Sequence, residues 1–109
     1  MTLEILPVVP GVPFQRFTAT LDGRRFVLVL RWNQRGTRWS LSISTEGGTP
    51  VLLGKALAWG ADLLVHARTK PEGPPGFLSV VSVSDATPAE PSLFGLGRTE
   101  QLIYMAAVD

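Results

Sequence analysis

Arg24–Ser44 reads RRFVLVLRWNQRGTRWSLSIS, and its alternation sets the architecture of the chain. In the first half Phe26, Leu28, Leu30 and Trp32 fall on one side, and Arg25, Val27, Val29 and Arg31 on the other. In the second half Trp39, Leu41 and Ile43 alternate with Arg38, Ser40, Ser42 and Ser44. Successive side chains of a strand point to opposite faces, so a period of two marks a strand with one face buried. Folding the halves so that Trp32 meets Trp39 sets Leu30 against Leu41 and Leu28 against Ile43, all on one side. The connection Asn33–Arg38 contains Gly36, which can supply the positive φ that a tight reversal needs. A slip of one residue would turn Trp39, Leu41 and Ile43 into water, so the register is strongly specified.

Upstream, Arg16–Leu21 reads as a strand and is followed by Asp22-Gly23, a strong two-residue hairpin signal. That turn pairs Ala19 with Phe26 and Phe17 with Leu28, so Phe17, Ala19 and Leu21 join the buried face. Before it, Leu6–Pro13 reads LPVVPGVP, with proline at every third position. Proline fixes φ and removes a donor, so residues 1–13 are expected to form an extended arm, either lying on the surface or reaching to a neighbouring subunit. Residues 14–109 are expected to form one all-β domain.

Downstream, Glu46-Gly47-Gly48 reverses the chain into a short strand, Val51–Leu57, interrupted by Gly54. Ala61–Ala67 fits a short helix or another strand; its apolar content does not choose between them. Phe77–Ser84 and Glu100–Val108 read as strands, separated by proline-containing loops at Thr69–Gly76 and Ala86–Ser92. Leu102 and Tyr104 on one side and Ile103 and Met105 on the other fit a strand covered on both faces. Short strands between Gly/Pro turns argue for a small antiparallel β-sandwich or barrel built on the N-terminal meander.

The chain has 109 residues, 45% hydrophobic and 17% charged, with a formal net charge of +1 and no cysteine. So few charges on a small domain suggest that a partner covers some apolar surface. Without cysteine there is no disulfide framework or thiolate metal site, and the lone His66 cannot build a zinc site of the usual histidine/cysteine type. No apolar run approaches the roughly 20 residues of a membrane span, and no basic-then-apolar leader is present. The residues therefore point to no catalytic set, no metal and no cofactor: Asp22, Asp62 and Asp85 have structural explanations, Ser40, Ser42 and Ser44 face outward on a strand, and Gly95-Leu96-Gly97 lacks a dinucleotide fingerprint. Arg16, Arg25, Arg31 and Arg38 share the face opposite the core. Such a basic face either solubilises the sheet or meets an acidic protein surface or a nucleic-acid backbone. Because Trp32 and Trp39 are on the core face, only Trp59 and Phe94 are left as stacking platforms, which weighs against nucleic acid.

Several ordered motifs belong together: Phe14-Gln15-Arg16-Phe17; Leu21-Asp22-Gly23 with Phe26 and Leu28; Leu30-Arg31-Trp32-Asn33 with Trp39; and Gly54. Asp62-Leu63-Leu64, Pro75-Gly76, and Leu96-Gly97-Arg98 before Leu102 and Tyr104 complete the set. In order and spacing they resemble the cyanophage baseplate plug domain family, small all-β proteins of contractile phage tails. The likeness covers nearly the whole chain after the arm, and departs from the family in the longer proline-rich arm and in Ala86–Pro91. It implies a non-enzymatic structural component that plugs or caps the central channel of the baseplate hub until contraction. It further implies a place in the virion tail baseplate, assembly in the bacterial host cytoplasm, and contacts to the hub and neighbouring tail proteins. Several copies would stand around the tail axis. Interface candidates are Val8, Val9, Val12, Trp59, Phe94 and Leu96, apolar residues outside the core face of the meander. A small β-barrel module binding nucleic acid through its basic face is the alternative.

Overall fold

Among the described residues seven strands alternate with turns: β1 Leu3–Ile5, β2 Phe14–Leu21, β3 Arg24–Asn33, β4 Arg38–Thr45, β5 Pro50–Ala56, β6 Phe77–Ser82 and β7 Glu100–Met105. The computed structural model describes residues 3–58, 60, 62–64, 74, 76–82, 93, 95–98 and 100–106. Two antiparallel sheets result, one in the order β2-β3-β4-β5 and one in the order β1-β7-β6. This is a small β-sandwich; the sheets do not close into a barrel. Among the described residues there is no helix. Leu63 and Leu64 form a buried turn, while residues 61 and 65–67 and the loops 69–73 and 86–92 lie outside the described residues.

The meander has the register its alternation requires. Trp32 pairs with Trp39, Leu30 with Leu41 and Leu28 with Ile43 across β3 and β4. Phe17 pairs with Leu28 and Ala19 with Phe26 across β2 and β3. The tryptophan rings meet edge to face, 5.6 Å between centroids, an arrangement favoured by the ring quadrupoles. Trp39 is fully buried, and Trp32 is half-buried with its indole N–H donating to Gln34 Oε1 at 2.8 Å. Phe26, Leu28, Leu30, Trp39, Leu41 and Ile43 form the inner face of this sheet, and Leu78, Val80, Leu102 and Tyr104 that of the other. Each fully buried leucine contributes roughly 1.5–3 kcal/mol relative to exposure.

Two local expectations change. The positive φ of the β3–β4 connection falls on Thr37 (φ 49), not Gly36. Asn33 Oδ1 accepts the N–H groups of Arg35 and Gly36 at 3.1 and 3.2 Å, which shapes the start of the loop and passes the left-handed residue to its last position. The arm also differs from an outlying surface segment. Leu3–Ile5 pairs with β7, and Leu6 and Val8 are buried in the core. The prolines are compatible with this because Leu6, between them and β1, still donates its N–H to Leu102 O at 2.9 Å. Pro7 then turns the chain, with Val8 N–H donating to Leu6 O at 2.9 Å, a three-residue turn that proline's fixed φ favours. With β1 and β6 on its two sides, β7 is central, and Leu102, Ile103 and Tyr104 are all buried.

Candidate functional site

The outer face of the four-stranded sheet carries Arg16, Arg25, Arg31 and Arg38, all exposed. Register places Arg16 opposite Val29, Arg31 opposite Ser40 and Arg38 opposite Asn33. Arg16, Arg31 and Arg38 therefore follow a diagonal over three strands, with neighbours about 7–8 Å apart at their bases. Arg25 meets Glu46, Nε to Oε2 at 3.4 Å, with both side chains more than half exposed, so the pair adds little stability. Arg31 lies over the exposed Phe14 ring, 5.3 Å from its centroid. Among the described residues no carboxylate pairs with Arg16, Arg31 or Arg38. The four sequence candidates thus share one face, and three of them keep their charge available.

A second cluster lies where the sheets meet. Asp22 (φ 52) and Gly23 (φ 83) form the tight β2–β3 turn, which presents the Asp22 carboxylate to β7. The Tyr104 hydroxyl donates to Asp22 Oδ2 and accepts the Gly76 N–H at 2.8 Å. Burial first, and then donation to Asp22, push the Tyr104 pKa well above the usual tyrosine value. A Cβ at Gly76 would run into the Met105 carbonyl and the Tyr104 ring, so only glycine lets this backbone approach. Sequence motifs 28 or more residues apart — Asp22-Gly23, Gly76 and Tyr104 — thereby act as one tie between the sheets.

The third cluster holds the arm. Gln15 Oε1 accepts the Val9 N–H at 2.9 Å, and its Nε2 donates to Val9 O and Val12 O at 3.0 and 3.1 Å. Its amide thus stands in for a strand neighbour around Pro10-Gly11, where Gly11 has φ 81. Gly11 N–H donates to Leu93 O at 3.0 Å. Gly97 (φ 92) packs so closely on the arm that a Cβ there would lie 2.5 Å from Val8 O. Val8 and Leu96 are accordingly buried inside this chain, and the apolar surface they would offer a partner is already covered. Val9 (54% exposed) and Val12 (37%) flank the clamped turn and stay open. Trp59 and Phe94 lie outside the described residues. The structure adds Leu3, Ile5, Phe14 and Leu53 as exposed apolar residues. Phe14 was legible as a member of the arginine face by alternation. Leu53 was not, because it reaches the surface through the β5 irregularity beside Gly54.

Among the described residues no group of three or more histidine or carboxylate side chains is placed to hold a metal ion. These clusters close the sandwich, pin its arm and leave one basic face. The fold and its ties define a small all-β sandwich protein. The chain matches the family described as cyanophage baseplate Pam3 plug gp18 over residues 3–107, and it belongs to that family. It is thus a relative of a baseplate component of the phage tail. No curated protein matches the chain.

Proposed function

We propose that this chain closes the central channel of the baseplate hub until contraction drives the tube outward. The observation that carries the reading is the family match, which spans residues 3–107. Several copies stand around the tail axis and hold to the hub and neighbouring tail proteins by apolar and strand-edge contacts, after assembly in the host cytoplasm. The clamped Pro10-Gly11 turn supports this, because Val9 and Val12 are presented on backbone already ordered by Gln15, so little entropy is lost on docking. Trp59 and Phe94 are further contacts on the same reading. The test is density for the chain in purified extended tails and in tails triggered to contract. The chain is expected in the hub channel before contraction and displaced from it afterwards. Its absence from extended tails, or an unchanged position after contraction, refutes the role.

A nucleic-acid contact is a second reading, favoured by the three arginines without carboxylate partners among the described residues. It predicts single-stranded DNA binding whose log–log salt slope is about −2, from three phosphates at about −0.7 each. Binding that is absent at low salt, or that survives Arg16→Glu with Arg31→Glu, removes it.

A further inference from the structure

The free side of β2 is a long, regular strand edge. Trp32 N–H donates to Pro13 O at 2.7 Å, which sets the parity of the ladder: residues 13, 15, 17, 19 and 21 turn their backbone groups to β3. Phe14, Arg16, Thr18 and Thr20 therefore direct N–H and C=O to the open side. Among the described residues nothing bonds to those groups. Edges are normally blunted by proline, bulges, inward charges or shortness. β2 carries one charge, Arg16, on its outer face, and otherwise has eight residues in unbroken register with no internal proline. The other edges differ. β5 begins at Pro50 and has two register shifts. The outer side of β6 is occupied, Gly60 N–H donating to Val80 O and Leu63 N–H to Leu78 O, each at 2.9 Å. β1 has three residues.

We infer that β2 pairs antiparallel with β2 of a second copy of this chain, about a two-fold axis at Thr18. That register places Thr18 against Thr18, Arg16 against Thr20, Phe17 against Ala19 and Gln15 against Leu21. No like charges face each other, whereas an axis at Arg16 would set Arg16 against Arg16. On the inner face a large residue meets a small one, and Phe17 and Ala19, half-buried in the single chain, gain a neighbouring strand. The product is a continuous eight-stranded sheet with a closed, isologous contact. A ring around the tail axis then uses another surface, such as the Val9–Val12 turn. The pairing belongs to the isolated chain: a monomer leaves the baseplate role intact, and absence from tails leaves the dimer intact.

Light scattering of the purified chain over a concentration series is expected to reach twice the chain mass. Thr18→Pro removes an outward N–H that none of the described residues bonds, so the variant is expected to keep its far-UV circular dichroism and lose the dimer. The chain has no cysteine, so Thr18→Cys introduces a single thiol. Directly opposed residues of this kind lie about 5.5 Å apart at Cα, within disulfide range. Mild oxidation is expected to cross-link Thr18→Cys well over ten-fold faster than Thr49→Cys, in a turn away from this edge. A single-chain mass at every concentration overturns the proposal, as does a dimer that persists in a folded Thr18→Pro variant. Equal cross-linking of the two cysteine variants overturns the Thr18-centred register.

Discussion

Replacing Tyr104 by phenylalanine removes one oxygen from the junction of the two sheets and almost no volume. The ring is buried, so no cavity opens; the loss is confined to hydrogen bonding. Donation to the Asp22 carboxylate is a bond to a charged acceptor, worth about 1.5–3 kcal/mol, and Gly76 N–H in a buried position loses its acceptor at about 1–3 kcal/mol. Asp22 is half-buried and regains water, which favours the lower end of its range. The sum is about 2.5–4.5 kcal/mol, a large share of the roughly 5–15 kcal/mol that holds a domain folded. Urea unfolding followed by tryptophan fluorescence reads this as a lower midpoint at unchanged m-value. A change below about 0.5 kcal/mol, the scale of ordinary surface substitutions, would refute the tie between the sheets. The same hydroxyl also sets an alkaline limit. Its pKa is raised in the folded chain, by burial and then by donation to Asp22, so above pH about 10 the unfolded chain loses this proton while the folded chain keeps it. Stability is therefore full below that pH and falls as pH rises, by up to about 1.4 kcal/mol per pH unit. Tyr104 is the only tyrosine, so the Tyr104→Phe variant should lack this added slope. Identical alkaline slopes in the two proteins would contradict the assignment.

Trp39→Ala should destabilise by roughly 3–5 kcal/mol, because the side chain is fully buried in the core; an unfolding midpoint within error of the parent would mean that the buried face is assigned wrongly. Thr37→Gly should stabilise by about 1 kcal/mol, since a β-branched residue at φ 49 is strained, and a fall in melting temperature would show that the Thr37 hydroxyl bond to Gly36 O outweighs the strain. Gly97→Ala should destabilise by more than about 2 kcal/mol and speed proteolysis within residues 1–13, as its Cβ meets Val8 O; parent-like proteolysis would show that the arm yields freely. Ser79→Ala should be neutral or stabilise by about 1 kcal/mol, because the Ser79 hydroxyl is buried with no hydrogen-bond partner among the described residues; a clear loss of stability would reveal a partner.

Local chemistry made the meander legible. Alternation over Arg24–Ser44 and the Asp22-Gly23 turn each act within a few residues, and their shared buried face follows from the two-residue period of a strand. The arginine face was legible for the same reason. The β3–β4 loop was less so: several loop conformations join the same strands, and Asn33 selects the one with the left-handed residue at Thr37. The burial of Leu6 and Val8 was not legible, because proline spacing describes the backbone of the arm and not what its intervening side chains meet.

By itself, the sequence determined which residues pair within the first hairpins, which face of that sheet is apolar, and the family to which the ordered motifs belong. Only the tertiary structure decided that the arm completes the core, that Val8 and Leu96 are interior while Val9 and Val12 are not, and that Tyr104 joins Asp22 to Gly76. The physical reason is range. Periodicity and turn preference are set by neighbours along the chain, whereas burial of the arm and the tie at Tyr104 depend on how one sheet stacks on the other. No local pattern records that stacking.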